Sequence, residues 1–461
     1  MVLADALRTA GVARVYQPTD AAYAAAVSGF DVGTPMRPDV VVDAQGAADI
    51  ASAVAVAAEY ELPVTVLGSG HGRLHSLDGG LAITTRTLAE VQVDVAARTA
   101  RIGAGCTWDP VLAAVTPHGL AAACGSAPSV GVAGFLLGGG IGPLVSTLGF
   151  GSDYVRSIEM VTPADGRLTV TANEHPDLYW AARGGKGGFG IVTAVTVDLL
   201  PLVSVVGGGL YFSAADARAV LYAYCDWADA LPPSSTASFA MLRLPALDTL
   251  PAPLRGQHVV HVRYATVESL AAATTQLADM RSVAKPLVDT VAVLPYGELG
   301  TIHGDPTSPM PVANGTASLA ELSGPVIDAL LAAAGPDVDV PLSSVEVRTL
   351  GSAAHAAPSV PDAVGGRGTR HVLNVYAAPS PTLTDDERLA VVRRVLDATR
   401  PWQSPITLVN FVGRANNVDA VTGSWTLDQN DRLDAVRGLH DPGCLFPFAG
   451  HQPRHDPPDA A

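Results

Sequence analysis

The sequence predicts an α+β fold made of two unlike halves, and three observations carry that prediction. Before residue 200, glycine-rich loops sit beside short apolar runs. After it, helical periods interleave with runs of period two. The first glycine loop, finally, is followed by extended chain and not by a helix, which sets it apart from a dinucleotide fold of Rossmann type.

The spacing predicts a strand over 40–42, a helix over 47–60 and a strand over 63–67. The loop LGSGHGRLHS follows at 67–76, and a strand pair is expected at 81–84 and 91–94. Asp78-Gly79-Gly80 reads as a turn between extended runs. Gly68, Gly70 and Gly72 do not make GxGxxG, so a pyrophosphate seated on a helix N-terminus is not expected here. A second glycine region, GSAPSVGVAGFLLGGGIG, spans 125–142, and a third, GGKGGFG, spans 184–190. Three loops free of bulky side chains suit a long polyanion approached by backbone N–H groups; tight turns alone are the other reading.

Beyond residue 200, helices are expected over 214–230, 267–283, 319–334 and 385–399. Strands are expected over 238–244, 258–264, 344–350, 371–377 and 405–412. Such an order gives an antiparallel sheet with helices on one face. Val345 and Val347 point one way while Ser344, Glu346 and Arg348 point the other, and Asn374 and Tyr376 share a face. The polar side either roofs a cavity or is a plain solvated face with an Arg–Glu pair.

Composition narrows the function. The 461 residues, 48% of them apolar, suffice for two or more packed units. A net charge of −16 and the lack of any Lys/Arg run argue against nucleic acid. Acid and Arg interrupt the first twenty residues, and no later segment reaches eighteen unbroken apolar residues, so a soluble, cytoplasmic protein is expected with no membrane partner. Cys106, Cys124, Cys225 and Cys444 form no CxxC and read as buried thiols. No metal site is expected: HExxH is absent, His258 and His261 fall on opposite faces of one strand, and His451 and His455 belong to a polar tail.

Several motifs then occur together. They are Gly68-Ser69-Gly70-His71-Gly72; Ser126 with Pro128-Ser-Val130-Gly131-Val132-Ala-Gly and the turn Gly138-Gly139-Gly140-Ile-Gly142; and Asn173-Glu-His-Pro-Asp-Leu-Tyr-Trp180, leading to Arg183-Gly-Gly-Lys-Gly-Gly-Phe-Gly190-Ile191-Val192. Leu408-Val-Asn410-Phe411 and His440-Asp-Pro442 with Leu445-Phe446 close the series. In this order they resemble the FAD-linked oxidases with a PCMH-type flavin domain, in the berberine-bridge-enzyme-like branch of the vanillyl-alcohol-oxidase superfamily and nearest to actinobacterial oxidases of secondary metabolism.

The resemblance implies an FAD-binding domain over 1–200, a substrate-binding α+β domain over 201–404 and a segment over 405–461 returning to the flavin domain. It implies that the residues of these glycine motifs, with Asn410, bind FAD and that His71 is bonded to the flavin 8α-methyl. A neutral ring nitrogen is a competent nucleophile for that bond. The other readings of His71 are a loop cap or a phosphate contact. Ala127 stands where many relatives carry a second, cysteinyl link, so one covalent bond is expected. Val130 resembles the small gatekeeper that admits dioxygen.

The tyrosine bases of the family are replaced by Phe411 and Thr426, which leaves Glu346, Tyr376 or His303 to act as base. Glu346 is the first candidate, on the expectation that burial raises its pKa, with Arg348 tuning it or gripping an acidic substrate. The implied activity is oxidation of a small, secondary-metabolite-like molecule, polyketide-like or glycosylated, with O2 reduced to hydrogen peroxide by a monomer or homodimer. An oxygenase or oxidative cyclase, and a redox-silent flavin-binding scaffold, are the alternatives.

Overall fold

The computed structural model describes residues 3–74, 76–416 and 419–448, so His451 and His455 lie outside the described residues. Val40–Asp43, Leu81–Thr84 and Val64–Leu67 pair in parallel, with Leu81–Thr84 in the centre. Their apolar side chains are buried on both sides, as parallel strands require, except Val66 on the edge strand, which is exposed. The helix Ala47–Glu59 covers one face with Ile50, Ala53, Val54 and Ala57, whose spacing of three and four makes one stripe.

Leu81–Thr84 and Val91–Asp94 are both strands, but they do not pair with each other. Val91–Asp94 instead edges an antiparallel five-stranded sheet, in the order Gly166–Val170, Val155–Thr162, Ile191–Asp198, Thr99–Gly103, Val91–Asp94. Local alternation marks both runs as extended, and only long-range pairing separates them.

The second half holds an antiparallel eight-stranded sheet. Its centre runs Ser204–Ser213, His258–Thr266, Ser235–Arg243, Leu342–Thr349, His371–Ala377 and Asn314–Leu319. Helices Ala217–Asp229, Gly324–Ala334 and Asp385–Ala398 pack Val220, Tyr224, Ile327, Leu330 and Val392 onto Phe239, Val262, Val345, Val347 and Val375. Helices therefore cover one face, as the alternation predicts.

Three expectations are corrected. The region 319–334 is helical only over Gly324–Ala334, and Leu319 ends a strand that begins at Asn314. The region 267–283 holds two short helices, Leu270–Gln276 and Ala278–Val283. The run 405–412 is no strand: its only regular element is a 3-10 turn, Val409–Phe411, because Leu408 and Val409 enter two different cores. All four cysteines are free thiols, and Cys225 and Cys444 are only half-buried. No helix among the described residues is long and apolar enough to cross a membrane.

Candidate active site

The first glycine loop lies against the second. Ser69 Oγ accepts from Gly131 N at 3.1 Å, and Ser129 Oγ lies 3.4 Å from His71 Nε2. The His71 ring is half-buried and stacks on Phe30, with centroids 3.8 Å apart. Burial pushes its pKa down to about 4, partly offset by Asp31, so the imidazole is neutral. Gly70 has φ +83°, and a Cβ there would come within 2.6 Å of the Gly29 backbone, so only glycine fits. At Gly68 and Gly72 a Cβ would meet nothing within 4 Å. The loop thus offers bare backbone and a neutral ring nitrogen to open space. These residues fit an FAD tethered through its dimethylbenzene ring.

The other predicted glycines serve packing within the chain. A Cβ at Gly138 would strike Asn410 Oδ1, at Gly140 the Phe135 ring, at Gly142 the Cys124 carbonyl and at Gly190 the Val161 carbonyl, all at 2.4 Å or less. Gly139 abuts Val364 and Phe150. Val132, Ile191 and Val192 are core residues, and Asn410 spends its amide on Phe135 O and on the Lys186 ammonium. Gly142→Ala is expected to cost about 1–3 kcal/mol by overpacking, read from the urea midpoint.

Across the sheet, the face away from the helices carries two registered rows. One runs Tyr211, His261, Ala240, Glu346, Asn374; the other Gly209, Arg263, Ser238, Arg348, Val372. Ala240 and Ser238 are small, so Arg263 reaches over their strand and donates to Glu346 Oε1. Arg348 Nε donates to the other oxygen at 2.9 Å, and Asn374 joins it at 3.3 Å. Gly209 leaves room for His261, which stacks on Tyr211 and accepts from Arg263 Nε. Glu346 is 4% exposed, so the polar side is a roof and not a solvated face.

The roof meets the second glycine loop through Ser126. Its hydroxyl donates to Asp305 at 2.7 Å and accepts from Arg348 Nη2 at 3.3 Å. The 3-10 helix Tyr296–Ile302 closes the side by Gly300 against Pro128, and places His303 with Nε2 3.8 Å from Glu346. Phe411 lies under the Arg348 guanidinium at 5.3 Å, whereas Thr426 caps the helix Leu427–His440.

The expected electrostatics of Glu346 are reversed. Burial alone raises its pKa, but Arg348 and Arg263 outweigh it and hold the carboxyl below its usual range. With both oxygens hydrogen-bonded, it is a poor base. Tyr376 is kept protonated, chiefly by burial and then by Glu346. His303 is driven well below its ordinary pKa by burial and by the two arginines, and both its ring nitrogens lack partners. Arg263 is absent from the sequence reading, which took His261 only as a residue that is no metal ligand, although the alternation in QHVVHVRY sets both on one face.

Comparisons with known proteins agree with this geometry. Residues 38–172 match the FAD binding domain family. (R)-6-hydroxynicotine oxidase of Paenarthrobacter nicotinovorans is 27% identical over 300 residues, 63% of this chain and 63% of that protein, so the match spans just under two thirds of the relative's length. The fold is that of Physcomitrella patens BBE-like 1, with a TM-score of 0.84, 20% identity and coverage of 97% and 98% of the two chains. It is also that of Acremonium strictum glucooligosaccharide oxidase, which carries a 6-S-cysteinyl, 8α-N1-histidyl FAD, with a TM-score of 0.83, 18% identity and the same coverages.

The chain thus carries an FAD binding domain over residues 38–172 together with an eight-stranded sheet whose polar face meets the second glycine loop. The family match covers residues 38–172, and over the rest of the chain the likeness to BBE-like 1 is one of fold.

Proposed function

We propose that the chain is an FAD-dependent oxidase of a small organic molecule, with the flavin bonded once, to His71. One observation carries this reading: the turn Ser126-Ala-Pro-Ser129 touches His71 on one side and, through Ser126, the Arg348–Glu346 pair on the other. His71 would hold the flavin, and the same turn ties that residue to the roof.

The chemistry supplied by bound FAD is acceptance of a hydride and return of both electrons to dioxygen, which leaves as hydrogen peroxide. The chain's part is to position the substrate, exclude water and move one proton. Neutral, unpartnered His303 is the group able to receive that proton, since Glu346 is ionised and Tyr376 stays protonated. Ala127 offers no sulfur for a second link.

The substrate is a polyketide-like or glycosylated secondary metabolite. The glucooligosaccharide and 6-hydroxynicotine oxidases among the similar proteins support an oxidase on small molecules. A substrate screen on an oxygen electrode should find a donor that yields one peroxide per molecule consumed, with no ¹⁸O from labelled dioxygen in the product. Label in the product would replace the oxidase reading by an oxygenase.

A further inference from the structure

Beneath the roof, the buried charges do not balance. Arg263 and Arg348 share a single buried carboxylate, Glu346. Asp305, which also acts on Arg348, sits half-buried at the rim on the Ser126 hydroxyl, where solvent weakens its charge. Buried charge lacking a counter-charge is costly, so one guanidinium is in excess for something that arrives.

A second observation points the same way. Both ring nitrogens of His303 are buried without a hydrogen-bond partner, whereas buried polar atoms are as a rule paired. His303 and the two arginines line one crevice against Gly142, Pro143 and Thr236.

Resting on the flavoenzyme reading above, we propose that this crevice is an anion subsite that takes a carboxylate of the substrate, gripped by Arg263 and Arg348, with a ring N–H of His303 as third donor. The planar guanidinium fork matches a carboxylate, and this pair already holds one from both sides in Glu346. A substrate ammonium placed there would meet two guanidiniums, so amines are poor substrates at this position.

The test titrates the purified holoprotein with benzoate and with benzamide, its neutral isostere, by calorimetry and by the visible spectrum of the flavin. Benzoate is expected to bind at least tenfold tighter than benzamide. Arg348→Gln should erase that preference, while Glu346→Gln, which frees a guanidinium, should tighten benzoate severalfold. General damage cannot produce that opposite sign, so Glu346→Gln decides the matter if Arg348→Gln fails to fold. Equal binding of the two probes, or weaker benzoate binding in Glu346→Gln, overturns the subsite. A chain that binds no FAD overturns the flavoenzyme reading instead, and the calorimetric preference for benzoate is then read on its own.

Discussion

His71→Ala protein is expected to lose all flavin that survives acid denaturation, whereas the parent chain keeps the mass of one FAD and its visible colour. The expectation follows from the ring's protonation and aim. Alkylation at nitrogen needs a lone pair, and burial holds this imidazole neutral with a pKa of about 4. Stacking on Phe30 fixes the ring plane, and Ser129 marks the side on which Nε2 lies. Gly72 leaves open space on one side of His71, and Gly70 lets the loop pack against Gly29. Intact-mass spectrometry of parent and variant decides it. An unmodified parent that binds added FAD reversibly would leave His71 as a loop or phosphate contact, and a second adduct would contradict the reading of Ala127.

The second large effect is on acid stability. His261, His303 and His371 are buried and held below the ordinary histidine pKa, His371 at about 4, each chiefly by loss of hydration. In the unfolded chain they titrate near 6.5, so below that pH the unfolded state binds more protons and stability falls as pH falls. Each contributes a slope of about 1.4 kcal/mol per pH unit, or about 4 for the three together. Glu346 acts later: its folded pKa is depressed, so its contribution is full above the ordinary carboxylate range and is lost only as pH drops through that lower value.

Stability is therefore expected to fall steeply as pH drops below 6.5. Urea midpoints at pH 7.5, 6 and 5 should fall in that order. Midpoints that stay level would show that these imidazoles take up protons in the native state.

What the sequence disclosed, and what it hid, divides along local and non-local physics. The alternation in Leu342–Thr349 separates Val345 and Val347 from Glu346 and Arg348 without any partner, because side-chain direction in a strand depends only on parity. The extended chain after Gly72 excluded a Rossmann unit for the same local reason. By contrast, Arg263 joins Glu346 from two strands away, a contact set by register across Ser238 and Ala240. The run 405–412 has the apolar texture of a strand, yet packing draws its side chains into separate cores. Glu346 was readable as a buried acid but not as an ionised one, since Arg348 beside it is joined by Arg263, 83 residues away, in holding its pKa down.

The two-row arrangement has a consequence for change over time. Residues 238, 240, 261, 263, 346 and 348 share one face, while the interleaved Phe239, Val262, Val345 and Val347 anchor the helix layer on the other. Change on the polar row can therefore proceed without disturbing the helix-packed row, but Arg263, Glu346 and Arg348 have to change together, since each single loss strands a buried charge.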